Sequence, residues 1–404
     1  VSASGAEART AHAGAGSVIE VLLAFLRLGC TSFGGPVAHL GYYRAEFIER
    51  RKWLDEHAYA DIVALCQFLP GPASSQTGVT IGMLRAGLPG GFAAFLGFSG
   101  PSAIVMIAFA YGVAAFGDVQ HAAWLHGLKI VAVAVVANAV WGMARNLAPD
   151  PPRASMAVAG ALVALLVPSA LGQMAAIVAG GLIGWAFLEA PPAKSGHVAV
   201  SFSRAFGATS LIAFFALLVG LPFITTATGS HAVALFDNFY RAGSLVFGGG
   251  HVVLPLLQQS VVPPGWIDNN GFLAGYGAAQ AVPGPLFTFA AYLGAAIHPG
   301  PNGVAGGLLC LAAIYLPSFL LLIGVLPFWD ALRRRAAVQS TLRGVNATVV
   351  GLLLAALYTP VWTSAINAPI DFGISLVAFL LLALWKLPPW LIVVLGAVVT
   401  AIIG

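Results

Sequence analysis

Three cations interrupt apolar stretches of this chain: Arg27 and Arg241, at matching places in two similar segments, and Lys129 in a third. An ionisable side chain inside a bilayer costs at least about 2.5 kcal/mol on insertion scales, so each is a candidate functional residue. The alternative for the two arginines is snorkelling or pairing with backbone carbonyls to brace a broken helix. Close to the two arginines, and again some forty residues later, the chain carries turns made of glycine and proline. They are Phe33-Gly34-Gly35-Pro36, Pro70-Gly71-Pro72, Phe247-Gly248-Gly249-Gly250 and Pro283-Gly284-Pro285. Proline and glycine end one helix and start the next, and the first N–H groups of the new helix lack intrahelical partners. Those N–H groups and the positive end of the dipole favour an anion, and glycine lets it approach the backbone. Ser74, Ser75, Gln76 and Thr77 follow the first Pro-Gly-Pro and Thr288 follows the second. Their polar groups either cap the half-helices or add donors for a ligand, and the two roles are compatible.

The remaining polar candidates each keep two readings. Asp61 is a proton carrier or an interfacial residue, and Gln67 and Gln280 line a cavity or brace the turns they precede. His39 and His251 follow the Gly-Gly turns, where an imidazole suits proton coupling or simple hydrogen-bonded structure. Lys129 faces the neutral Asn346 in the repeat, and is either an asymmetric substrate or coupling residue or the partner of a buried carboxylate. No Walker A run, H-E-x-x-H, G-x-S-x-G or Cys/His cluster occurs, and Cys30, Cys66 and Cys310 lack metal-ligand spacing. An enzyme, a metal site and an organic cofactor are therefore not expected. No loop is long enough for a nucleotide-binding domain, so any coupling must come from an ion gradient or exchange.

The elements that place these residues must be membrane helices. Only 8% of the 404 residues are charged and 59% are hydrophobic, against about 25% charged in a soluble domain. The net charge of +4 comes from basic residues in short loops, which speaks against nucleic acid and for the positive-inside pattern. The chain also repeats itself. From Phe25 and from Phe239, six of twelve successive positions match, and Trp53, Asp55 and Gln67 are answered by Trp266, Asp268 and Gln280. Leu125-His-Gly127 resembles Leu342-Arg-Gly344. The expected organisation is a disordered tail over 1–16, homologous repeats over 17–188 and 231–404, and a linker with an extra span over 189–230.

Apolar runs at 90–116, 121–146, 206–228, 302–328 and 336–359 reach the ~20 residues needed to cross. The runs 154–188 and 371–404 read as pairs of short segments broken near Pro168 and Pro388-Pro389. The pieces flanking each glycine turn are about 20 Å long or less as helix. They form re-entrant hairpins or, alternatively, kinked single spans. Counting hairpins as non-crossing, with the N-terminus in the cytoplasm, puts every basic loop inside and the C-terminus in the periplasm. The opposite loops, 117–120, 229–232, 251–268, 299–301 and 360–370, contain no Lys or Arg. This partition makes the halves antiparallel: an all-α integral membrane protein with an inverted-topology repeat, the signature of a transporter that binds substrate near the midplane.

The glycine and proline turns of both halves, with Trp53-Leu54-Asp55 and the Gln67 and Gln280 segments, resemble the chromate ion transporter family, in particular a long, two-domain bacterial member. The resemblance covers roughly 17–404. It implies a bacterial inner-membrane protein that exports chromate and confers resistance, with sulfate as the competing tetrahedral dianion. It carries motif roles to Arg27, Gly34, Gly35, Pro70, Gly71, Pro72, Arg241, Gly248, Gly249, Pro283, Gly284 and Pro285. Gly250 stands where the first half has Pro36, so the two hairpins are not expected to be equivalent. A sulfate or other oxyanion carrier, or a passive anion channel, is the competing function. The partners expected are chromate, sulfate and the lipid bilayer, and a homodimer is left open.

Overall fold

A computed structural model describes residues 16–115, 123–190, 202–247, 250–332 and 334–403. Residues 1–15 of the expected tail, 191–201 of the expected linker and the site candidates Gly248 and Gly249 lie outside them. Among the described residues the chain is helical and has no strand. The first half runs α1 (Val18–Thr31), α2 (Gly35–Tyr43), α3 (Glu56–Phe68), α4 (Ala73–Ala115), α5 (Ala123–Leu147), α6 (Pro151–Leu166) and α7 (Ala170–Phe187). After α8 (Arg204–Thr228) come α9 (His231–Leu245), α10 (Val253–Val261), α11 (Asn269–Ala281), α12 (Phe289–Ala296) and α13 (Gly303–Val325). A short α14 (Trp329–Leu332), α15 (Ala336–Ala356), α16 (Thr363–Ala365), α17 (Pro369–Ala383) and α18 (Pro389–Ile403) complete the chain. Among the described residues five helices are long and apolar enough to cross a membrane, and they match the five long runs read from sequence.

The interrupted segments are hairpins, not kinked spans. Phe25 on α1 stacks on Phe47 beyond α2, with ring centroids 4.9 Å apart, so the chain doubles back at Phe33-Gly34. A second excursion leaves through α3, turns at Pro70-Gly71-Pro72 and returns along the first part of α4. It ends at Ala86 and Gly87, whose dihedrals break the helix (Gly87 φ 65°). Beyond that break α4 folds back on itself, because a Cβ on Gly91 would meet Met83 and Val79. Both excursions come home to one place. Glu20 binds Arg85 at 3.1 Å and lies 3.7 Å from Arg51, while Trp53 takes both guanidinium groups over its ring. The second half repeats this plan around Trp266, which packs on His231 at 4.7 Å and accepts a bond from the His298 amide. The repeated Trp-x-Asp motif now has a reason. Each tryptophan packs where the excursions meet, and Asp55 and Asp268 cap α3 and α11 by accepting from Ala58 and Gly271.

The halves are inverted. The later part of α4 and its counterpart α13 pack antiparallel: Phe95 meets Tyr315 and Phe319, Ile107 meets Gly307, and Tyr111 meets Gly303 and Val304. The Glu20–Arg85 end and the His231–Trp266 end therefore lie at opposite ends of the molecule. The distal helices exchange partners between halves. Gly160 and Gly180 press on Thr348 of α15, and Gly184 presses on Gly344, so α6 and α7 sit on the second half's helix. Reciprocally, Gly396 and Thr400 of α18 close on Gly127 of α5. Small residues permit such approach, and in lipid the close packing itself drives association. Each distal pair returns to the end it left: Asp371 of α17 bonds His126 at 3.0 Å near the Thr400 contact. With 15 residues each, α17 and α18 are about 22 Å long, short of the ~30 Å hydrocarbon core. Large apolar side chains such as Leu171, Phe187 and Ile212 remain exposed, which suits a lipid-facing rim.

Candidate functional site

The four tips meet in the middle of the molecule, two by two. The Gly71 amide donates to the Val246 carbonyl at 2.7 Å, and the Gly284 amide donates to the Ser32 carbonyl at 2.9 Å. Each bond joins the second tip of one half to the first tip of the other. The turns demand glycine: φ is 104° at Gly34, 121° at Gly71 and 102° at Gly284, the left-handed region where other residues are strained. Space demands it as well. A Cβ on Gly71 would collide with Ser318 Oγ, and one on Gly284 would lie 2.9 Å from Ser102 Oγ.

Those two serines follow Pro101 and Pro317 midway along α4 and α13, at equivalent positions of the repeat. Sequence reasoning passed over them, although a Pro-Ser pair recurring in the same place in both long helices was the signal. The first tip opens directly into α2 with Pro36 in its first turn, whereas α10 is preceded by a 3-10 turn, Gly250–Val252. The expected inequivalence of the two hairpins is thus present in the backbone.

Polarity is concentrated on the first-half side. Ser75, Gln76, Ser99, Tyr315 and Ser318 are all at least 95% buried. None of Ser75 Oγ, Gln76 Oε1, Ser99 Oγ, Tyr315 OH and Ser318 Oγ has a hydrogen-bond partner among the described residues. The Tyr315 phenol faces the Ser75 and Ser99 hydroxyls without a well-formed bond to either. A cleft of about 10 Å³, shared between the halves, is lined by Pro72, Ser75 and Gln76 on one side and Tyr315 and Ser318 on the other. Next to it, Ser32 Oγ, Tyr43 OH and His39 Nε2 are also buried and unpartnered, while His39 Nδ1 lies 3.3 Å from Ser74 Oγ. Burying a hydroxyl without a partner costs about 1–3 kcal/mol, so a cluster of them implies partners from outside the protein.

The second half lacks this cluster. Val246, Leu257 and Phe289 stand where the first half has Ser32, Tyr43 and Gln76. Thr288, the counterpart of Ser75, is satisfied by the Pro285 carbonyl at 2.8 Å. His251 bonds Tyr276 at 2.8 Å. Gln280 lies beside its turn with an unpartnered Nε2.

The embedded cations are not gathered at the tips. Arg27 is exposed on α1, with no side-chain partner among the described residues. Arg241 is held by Asp237 through two bonds, 2.6 and 2.9 Å, an i,i+4 pair whose acid is only 6% exposed. That partner was legible four residues upstream and was missed. Lys129 lies in a different cavity, about 410 Å³, beside Asp268, Asn270, Tyr292 and His298 at the end remote from Arg85. It donates to Asn270 Oδ1 at 3.2 Å and feels the charges of Asp268 and Asp371. Asp61 is half-buried on α3, and Gln67 is exposed one helical turn from its Pro-Gly-Pro. Among the described residues no group of three His, Cys, Asp or Glu side chains is placed to hold a metal ion.

A family model described as chromate transporter matches residues 19–185 and 233–401, one match to each half. The chain is 25% identical over 387 residues to a chromate transport protein of Cupriavidus metallidurans, covering 94% of this chain and 92% of that one. It is 26% identical to a probable chromate transport protein of Synechococcus elongatus, with 93% and 92% covered. To a chromate transport protein of Pseudomonas aeruginosa it is 27% identical, with 89% and 85% covered. No solved structure matches significantly.

Proposed function

The chain belongs to the chromate transporter family, and on that premise we propose that it is a secondary carrier that moves chromate out of the cell through the meeting point of its four tips. The observation that carries the proposal is the reciprocal pair of tip bonds, Gly71 to Val246 and Gly284 to Ser32. They hold the interrupted helices of two inverted halves against one another at mid-depth, where broken helices bind substrate in inverted-repeat carriers. The first amides of α2 and α4, with Ser74 and Ser75, replace the water that a tetrahedral dianion gives up. Thr288 and the Pro283-Gly284-Pro285 turn close the site from the other half.

The end bearing Arg50, Arg51 and Arg85 faces the cytoplasm of a bacterial inner membrane, because basic loops are retained there. The opposite end, with Trp266 and His298, then faces the periplasm, and the 410 Å³ cavity of Lys129 is the periplasmic vestibule. Coupling is to protons or to a counter-anion, since the chain carries no nucleotide-binding motif. Export by such a carrier lowers cytoplasmic chromate and confers resistance.

The test is uptake of radiolabelled chromate into inverted membrane vesicles, with and without a pH gradient and with excess sulfate on either side. Accumulation that depends on the gradient or on trans anion is expected. Uptake indifferent to both identifies a passive channel instead, and sulfate uptake untouched by chromate identifies a different oxyanion.

A further inference from the structure

The backbone at the centre is nearly twofold, but its side-chain chemistry is not. We propose that the molecule has one oxyanion site rather than two, built on the first-half tip from neutral donors: the hydroxyls of Ser75, Ser99, Tyr315 and Ser318 together with the first amides of α4. This inference rests on the anion-carrier reading above and adds the residues and the asymmetry.

Three observations converge on it. The four hydroxyls are at least 95% buried, and none makes a well-formed hydrogen bond among the described residues, the Tyr315 phenol lying between the Ser75 and Ser99 hydroxyls. Two come from each half, Ser75 and Ser99 from the first and Tyr315 and Ser318 from the second, so the site exists only where the halves meet. Ser75, Tyr315 and Ser318 line the shared cleft, whose wall also includes Pro72, immediately before α4. Tyr315 occupies in α13 the position that Ser99 occupies in α4, three residues before the Pro-Ser serine. The repeat therefore brings one phenol and one small hydroxyl together across the pseudo-axis.

The mirror-image position cannot serve. Around Gly284, Thr288 is consumed by the Pro285 carbonyl and Ser102 by the Ser99 carbonyl, and Phe289 replaces Gln76. Among the described residues no fixed cation joins the site: Arg241 is committed to Asp237, Lys129 lies in the other cavity, and Arg27 is exposed. A tetrahedral oxyanion is then held by several hydrogen bonds from neutral groups. In a low dielectric these are strong when donated to a charge. The cleft of about 10 Å³ holds about one water. Loading the anion therefore requires the α4 tip to part from α13, which places the binding event on the surface between the halves.

The experiment measures chromate and sulfate binding to the purified full-length chain, together with its melting temperature. Loss of a hydrogen bond to a charged ligand weakens binding about tenfold or more. Ser75→Ala, Tyr315→Phe and Ser318→Ala are each expected to weaken chromate binding by that factor with an unchanged or higher melting temperature. Tyr240→Phe, which removes a phenol bonded to the Phe214 carbonyl at 3.0 Å outside the cleft lining, is expected to lower the melting temperature and leave affinity alone. Wild-type affinity within twofold in all three cleft variants overturns the site while leaving chromate as substrate. Equal losses for sulfate in a chain that ignores chromate uphold the site and overturn the substrate. A wild-type chain that binds neither anion overturns both.

Discussion

The two halves share a backbone plan and differ in what they do with charge. At one end the first-half excursions close on ions: Glu20, Glu46, Arg50, Arg51 and Arg85 around Trp53. At the other end the second-half excursions close on rings and amides, His231 and His298 around Trp266, and the charges there, Lys129 with Asp268 and Asp371 with His126, sit beside them. At the centre the relation persists in another form, with orphan hydroxyls on one side and satisfied or apolar groups on the other. Backbone geometry, set by glycine and proline, is what the duplication preserves. Side-chain chemistry is where the copies have diverged, and that divergence gives a symmetric scaffold a direction.

The largest expected effect tests what the halves share. Gly71→Val and Gly284→Val each place a branched side chain at positive φ against a serine of the other half. Each should cut chromate transport by more than about a hundredfold in vesicles, since strain and collision together amount to several kcal/mol. Substantial activity in either variant would break the equivalence of the tips.

The arginines come next, and here the halves should part. Arg241→Ala strands the buried Asp237 carboxylate and should cost a few kcal/mol of stability. Adding Asp237→Asn should recover most of it, as read by melting of the purified protein. Arg27→Ala should leave melting and insertion unchanged, because its side chain is exposed and unpaired among the described residues. It should lower chromate transport about tenfold, as expected for a cation that attracts the anion from outside the central site. Wild-type transport by Arg27→Ala would reduce this arginine to scaffold.

A smaller effect is expected at Lys129. Lys129→Asn makes the vestibule residue match Asn346. It should raise the KM for chromate severalfold with little change in maximal rate, as expected when a charge that attracts substrate is removed. A falling maximal rate at constant KM would move Lys129 into the transport cycle itself.

The smallest effect concerns the charged end. Burial alone would raise the Glu46 carboxyl, but bonds from Arg51 and Arg50 outweigh it and hold the group below its ordinary 4.5. A carboxyl lowered by folding contributes stability that is present above about pH 4.5 and is lost as pH falls through its lower folded value. Acid should therefore loosen the Trp53 end before the Trp266 end in hydrogen exchange, and Glu46→Gln should remove the difference. Equal loosening at both ends would erase this part of the contrast.

Much of this was legible in residues alone. Glycine and proline punctuation marked the four tips, and the uneven basic loops predicted that the two halves run antiparallel. The five long runs became the five long helices. What escaped were features that local pattern does not encode. The exchange of α6–α7 and α17–α18 between halves depends on glycine contacts such as Gly184 on Gly344, distant in sequence. Ser99, Ser102, Tyr315 and Ser318 lie inside long apolar helices, so they read as tolerated polar residues until α4 and α13 are set side by side. Arg241 attracted attention as a lone cation only because Asp237, one helical turn away, was not weighed with it.

The reciprocal bonds at the centre also say something about a chain of half this length. Its Gly-Pro tip would offer an amide whose carbonyl acceptor belongs to another copy inserted upside down in the same bilayer. Joining the two copies through α8 fixes their opposite orientations once and for all. From then on each is free to mutate without having to serve as its own mirror image.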